Sequence, residues 1–87
     1  ETKNSVALSP NPANEKLNIN INTENAQFIT YSVVNIEGST VIPNMKKELT
    51  VGVNQLVINV SELPSGIYFF NATLDGQTNS YKFVVEK

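Results

Sequence analysis

The 87-residue chain has no cysteine, no histidine, no tryptophan and no arginine. Each absence removes a class of chemistry. Without Cys there is no disulfide framework and no thiol nucleophile. Without His, the commonest general base and the commonest metal ligand are both missing. All six basic residues are Lys, so the bidentate guanidinium clamp on phosphate or carboxylate is unavailable. A net charge of -2 makes neither a nucleic-acid footprint nor a polybasic membrane patch. No apolar run reaches the length of about eighteen residues that a transmembrane helix needs. Glu1-Thr2-Lys3-Asn4 lacks the basic start and apolar block of a signal peptide. The chain does not begin with Met, so it reads as a piece of a longer protein. Residues 1–5 are expected to be a linker remnant and residues 6–87 a single domain. A domain this small buries roughly 60% of the surface its unfolded chain exposes, enough for one modest core.

What is present is period-two alternation. Val6-Ala7-Leu8 is a short alternating run, stopped by Ser9-Pro10-Asn11-Pro12. Each Pro drives its predecessor into extended geometry and cannot donate to a ladder, so a short edge strand runs into a rigid bend. In residues 16–22, Leu17, Ile19 and Ile21 face one way and Asn18, Asn20 and Asn22 the other, which is a strand with one wet face. Residues 27–36 alternate with apolar side chains on both faces, which predicts a central strand. Glu37-Gly38 is a turn, with Gly supplying a positive φ. Residues 39–42 form a short return strand that Pro43-Asn44 ends. Residues 46–51 read as an edge strand or a loop.

Residues 55–60 point Leu56, Ile58 and Val60 inward. Ser61-Glu62-Leu63-Pro64-Ser65-Gly66 is a corner. Residues 67–74 put Tyr68, Phe70, Ala72 and Leu74 on one face. Asp75-Gly76 suits a two-residue type I′ turn. The last strand, residues 77–86, turns Tyr81, Phe83 and Val85 inward. No stretch has a 3.6-residue period. About seven short strands spaced by Gly, Pro, Asn and Asp predict an all-β, immunoglobulin-like antiparallel sandwich.

Little in this pattern carries catalysis. A nucleophile would need a Ser/Lys or carboxylate arrangement, yet the eight acidic residues are scattered over expected turns and edges. A calcium site needs converging oxygens, and Asp75 is the only Asp. No catalytic residue, metal ligand or cofactor is expected. Sugar binding on a sheet face needs exposed aromatics, whereas Tyr and Phe fall mainly on inward phases. Asn59-Val60-Ser61 and Asn71-Ala72-Thr73 match a glycosylation triplet, but both lie on expected strands. In purely structural terms, Pro10-Asn11-Pro12 is a rigid bend. Gly66 takes a conformation that residues with a Cβ resist, and Tyr68 anchors the corner through its ring and hydroxyl.

Four motifs occur in order along the chain. They are Ser9-Pro10-Asn11-Pro12-Ala13-Asn14-Glu15-Lys16-Leu17-Asn18-Ile19, then Val34-Asn35-Ile36-Glu37-Gly38-Ser39-Thr40-Val41, then Ile58-Asn59-Val60-Ser61-Glu62-Leu63-Pro64-Ser65-Gly66-Ile67-Tyr68, and finally Ser80-Tyr81-Lys82-Phe83-Val84-Val85-Glu86-Lys87. Together they resemble the C-terminal sorting domain, type A, of the type IX (Por) secretion system, over nearly the whole chain. The resemblance implies a non-enzymatic export signal at the end of a larger cargo protein in a gram-negative bacterium. Its implied partners are the outer-membrane translocon, which recognises it in the periplasm, a sortase-like peptidase, which removes it, and the N-terminal cargo domain. The cargo then reaches the cell surface or the medium. The implied recognition residues are Pro10, Asn11, Pro12, Gly66, Tyr68, Lys82 and Lys87. One departure stands out: the family often ends in two basic residues, and here Glu86 precedes Lys87. If charge is read there, Glu86 weakens the signal. The competing expectation is an immunoglobulin-like spacer or carbohydrate-binding module of a secreted enzyme.

Overall fold

Seven strands account for the chain in a computed structural model that describes residues 4–10 and 12–87. They are β1 (Ser5–Ser9), β2 (Lys16–Thr23), β3 (Gln27–Asn35), β4 (Thr40–Leu49), β5 (Gly52–Asn59), β6 (Gly66–Leu74) and β7 (Gln77–Val85). They form a three-stranded sheet in the order β1-β2-β5 and a four-stranded sheet in the order β4-β3-β6-β7, with every neighbouring pair antiparallel. The immunoglobulin constant arrangement keeps the fourth strand in the first sheet; here β4 has moved across to the second. No helix of the described chain is long and apolar enough to cross a membrane.

The alternation places the core. Leu17, Ile19 and Ile21 of β2 and Leu56 and Ile58 of β5 meet Ile29, Tyr31 and Val33 of β3, Tyr68, Phe70, Ala72 and Leu74 of β6, and Phe83 and Val85 of β7. Phe70 is fully buried at the centre, its ring 5.6 Å from Tyr31 and 6.3 Å from Tyr81. Every inward residue expected on β2, β5 and β6 is buried, and Tyr81 on β7 is half-buried. The β6–β7 turn has Asp75 at φ 58° and Gly76 at φ 75°, the two positive angles that a type I′ hairpin demands.

Two expectations fail locally. The return strand does not end at Pro43: β4 continues through it to Leu49, so the uncertain segment is mostly strand. Tyr31 pairs Met45 while Val33 pairs Ile42, a register shift that brackets Pro43 and Asn44. Pro is tolerated because β4 is an edge strand and the missing donor falls in the irregularity. The second failure concerns Gly66. Positive φ among the described glycines occurs at Gly38, Gly52 and Gly76. Gly66 lies in β6 without it, and an added Cβ would make an ordinary 3.8 Å contact with the Tyr68 ring. We therefore expect Gly66→Ala to leave stability the same or to raise it by up to about 1 kcal/mol, by restricting the unfolded chain. A urea titration checks this, and a large loss would refute the strand assignment at Gly66.

Candidate functional site

Motifs that are far apart in sequence meet at one end of the sandwich. After the bend at Pro10 and Pro12, Ala13 is fully buried and bridges Val85 in parallel. The Ala13 N–H donates to the Val84 carbonyl at 2.7 Å, and the Glu86 N–H donates to the Ala13 carbonyl at 2.8 Å. Residues around Ala13 thus form a strap over the last turn of the β7 edge. Two residues on, the Glu15 carbonyl accepts the Val60 N–H at 2.8 Å, which ties the strap to the start of the corner. Asn11 lies outside the described residues, as do Glu1, Thr2 and Lys3 from the expected linker. Ser5 already belongs to β1.

The corner is closed from the other side. The Tyr68 hydroxyl donates to the Pro64 carbonyl at 2.7 Å, and its ring stacks on Phe83 at 5.8 Å. The sequence anticipates this hydroxyl anchor, and the local reason is simple. Tyr68 is the first inward residue of β6 after the bend, so its tip reaches back over the carbonyl four residues upstream. Lys87 completes the knot. Its N–H donates to Ser65 Oγ at 3.0 Å, and its ammonium donates to the Val60 and Ser61 carbonyls at 3.3 and 2.5 Å. Both carbonyls lie just past the end of β5; that of Val60 also accepts the Leu63 N–H at 3.0 Å, and the cation adds a charge-assisted bond to each. Removing one hydroxyl tests the knot: Tyr68→Phe should cost about 1–1.5 kcal/mol by leaving the Pro64 carbonyl short of a donor. Equal midpoints for the two proteins in urea would show that the bond does no work.

Of the expected recognition residues, Pro10, Pro12, Gly66, Tyr68 and Lys87 are gathered at this end. Lys82 stands apart. It is exposed, opposite Phe69 on the outer face of the four-stranded sheet. The sequence reading missed Ala13 and Glu15. Their backbones make the contacts, so no side-chain signal marks them beyond the two prolines nearby.

Only part of the β7 edge is open. The two-residue turn makes Leu74 and Gln77 a hydrogen-bonded pair, and antiparallel alternation then turns Thr78, Ser80, Lys82 and Val84 to the outer edge. The strap occupies that edge at Val84. The open part therefore runs over Thr78, Ser80 and Lys82, and the closing residues themselves are held down.

Chemistry is sparse throughout. Among the described residues, no three of His, Cys, Asp or Glu are grouped to hold a metal. Burial pushes the Tyr31 hydroxyl above its ordinary pKa, but Tyr31 lies on β3, away from the knot. Phe28 is an exposed aromatic on β3, with the Lys46 ammonium 4.5 Å over its ring. Of the two glycosylation triplets, Asn59 caps the Ser61 N–H and Asn71 accepts from Ser80.

A family model described as a secretion system C-terminal sorting domain matches residues 7–86. That span takes in the strap, the corner and all of β7. No curated protein matches the chain.

Proposed function

Because the chain belongs to the family of secretion-system C-terminal sorting domains, we propose that the export apparatus reads the knotted end of its sandwich, together with Lys82 on the outer face of the four-stranded sheet. The domain is a C-terminal secretion signal of the type IX system, and it directs an attached cargo to the cell surface or beyond. It does so without catalysis of its own: a folded shape is bound, and an outer-membrane translocon holds it after the cargo has reached the periplasm of a gram-negative cell. A sortase-like peptidase then cuts on the cargo side of β1. Pro10, Asn11, Pro12, Gly66, Tyr68, Lys82 and Lys87 are the residues we assign to recognition: Pro12 leads into the strap, Tyr68 holds the corner, Gly66 opens β6, and Lys82 and Lys87 supply charge.

The observation that carries this reading is convergence. The strap near the start, the corner and the last residues all meet around Ala13, Tyr68 and Lys87, so a binder there samples three of the four motifs at once.

Deleting residues 81–87 is a poor test, because Phe83 and Val85 are core residues and the truncated chain would lose its fold. A point change on the surface separates the effects. With a periplasmic reporter fused ahead of residue 1 in a type IX-competent host, Lys82→Glu should reduce export severalfold. Its stability should stay within about 0.5 kcal/mol of the parent, as for other exposed sites. Undiminished export would remove Lys82 from the recognised face.

A further inference from the structure

The flank opposite the strap is open. There β5 and β4 are the free edges of the two sheets. Between them lies a cleft of about 250 Å³ lined by Tyr31, Ile42, Met45, Val57, Ile58 and Asn59. The Val60-to-Glu15 hydrogen bond fixes the phase of the β2–β5 ladder. Asn54, Leu56 and Ile58 bond to β2, and the N–H and C=O groups of Val53, Gln55, Val57 and Asn59 turn outward. The flank exposes apolar side chains: Val53 on β5 is 75% accessible and Val57 50%, and Met45 on β4 is 48%. β5 carries no charge and no Pro, so neither of the usual guards against strand pairing is present. By contrast, the β7 edge has Lys82 and the strap, and the β4 edge has Pro43 and a register shift.

We propose that this flank is a docking groove for an extended strand supplied in trans by another protein. The strand adds to β5 as a fourth strand of the smaller sheet, and its alternate apolar side chains enter the cleft above Ile58 and Met45. Asn4 lines a hollow with Ala72, Leu74, Gln77, Asn79 and Tyr81 on the β6–β7 flank, and Lys87 is tied to the corner.

Charge sets the occupant's chemistry. On the inward side of β4, Ile42 and Met45 line the cleft and Lys47 lies two residues beyond Met45, the three paired with Val33, Tyr31 and Ile29 of β3. Lys47 is half-buried there, and no carboxylate pairs with it among the described residues. A strand with one acidic residue among its apolar ones complements the groove. A second copy of β5 brings no acid to meet Lys47. The proposal does not depend on which face the translocon reads.

The test uses the 87-residue chain and three synthetic heptapeptides with Val at alternate positions. One has a central Glu, one a central Lys and one a central Pro. Amide hydrogen exchange is followed by NMR. With the Glu peptide at a hundred times its dissociation constant, exchange at Val53, Gln55, Val57 and Asn59 should slow about 100-fold, since only the free protein exposes these groups. The Lys peptide should bind more weakly by severalfold, and the Pro peptide should give no protection. Val57→Lys, an exposed change, should abolish protection while circular dichroism stays that of the parent. Protection at Thr78, Ser80 and Lys82 instead would overturn the proposal. So would protection at β5 that grows with protein concentration and needs no peptide, since that is self-pairing.

Discussion

Phe83→Ala should lower the stability of the domain by about 3–5 kcal/mol, as expected when a buried Phe is truncated and its site cannot collapse. The ring is fully buried and stacks on Tyr68 at 5.8 Å, so its loss loosens the core and the corner together. Whole-protein stabilities are about 5–15 kcal/mol, and a domain of this size sits toward the low end. The variant should therefore be largely unfolded at 37 °C, with its urea midpoint moved far to the left. Export of a fused reporter should fall with it. The neighbouring Lys82→Glu gives the contrast, because it leaves the fold intact and alters only the surface. If the unfolded Phe83→Ala fusion were exported at the parent rate, the apparatus would be reading a linear sequence and no folded face.

Ala13→Asp should release the strap. Ala13 is fully buried, and its backbone makes two hydrogen bonds to the β7 edge. A carboxylate left without a partner there would cost more than the strap contributes, so the segment should detach and leave the charge in water. The cost is then limited to two hydrogen bonds and some apolar burial, about 2–4 kcal/mol. The signature is local. The Glu86 N–H, whose acceptor is the Ala13 carbonyl, should exchange at nearly the unprotected rate. The Tyr81 and Phe83 N–H groups face β6 in the same ladder and should stay protected relative to Glu86. A Glu86 amide that stays as protected as in the parent would show that the strap does not cover the edge. The export assay on the same variant asks a separate question. Faster export would mean that the strap hides the recognised edge, and slower export that the strap is part of what is recognised.

The residues Leu17, Ile19 and Ile21, and then Tyr68, Phe70 and Ala72, made the strands and their inward faces legible, because a strand repeats every two residues and burial selects one phase. Asp75-Gly76 made the last hairpin legible through turn chemistry alone. Pro43 misled, because its missing donor matters only inside a paired ladder, and no local rule tells an edge strand with a register shift from a strand that has stopped. Gly66 misled for a similar reason. A glycine after a Pro-containing bend looks like a positive-φ position, yet the bend is completed before it and Gly66 is simply the first residue of β6.

The order of the motifs along the chain determined the family, and the alternation of side chains determined an all-strand sandwich. Both are local or linear properties that need no knowledge of what meets what. Tertiary structure alone decided that β4 crosses to the larger sheet, that Ala13 seals the end of β7, that Lys87 is tied to the corner and that β5 lies open. These depend on backbone groups meeting across the fold. Every residue carries the same N–H and C=O, so composition and spacing hold no record of which partners they find.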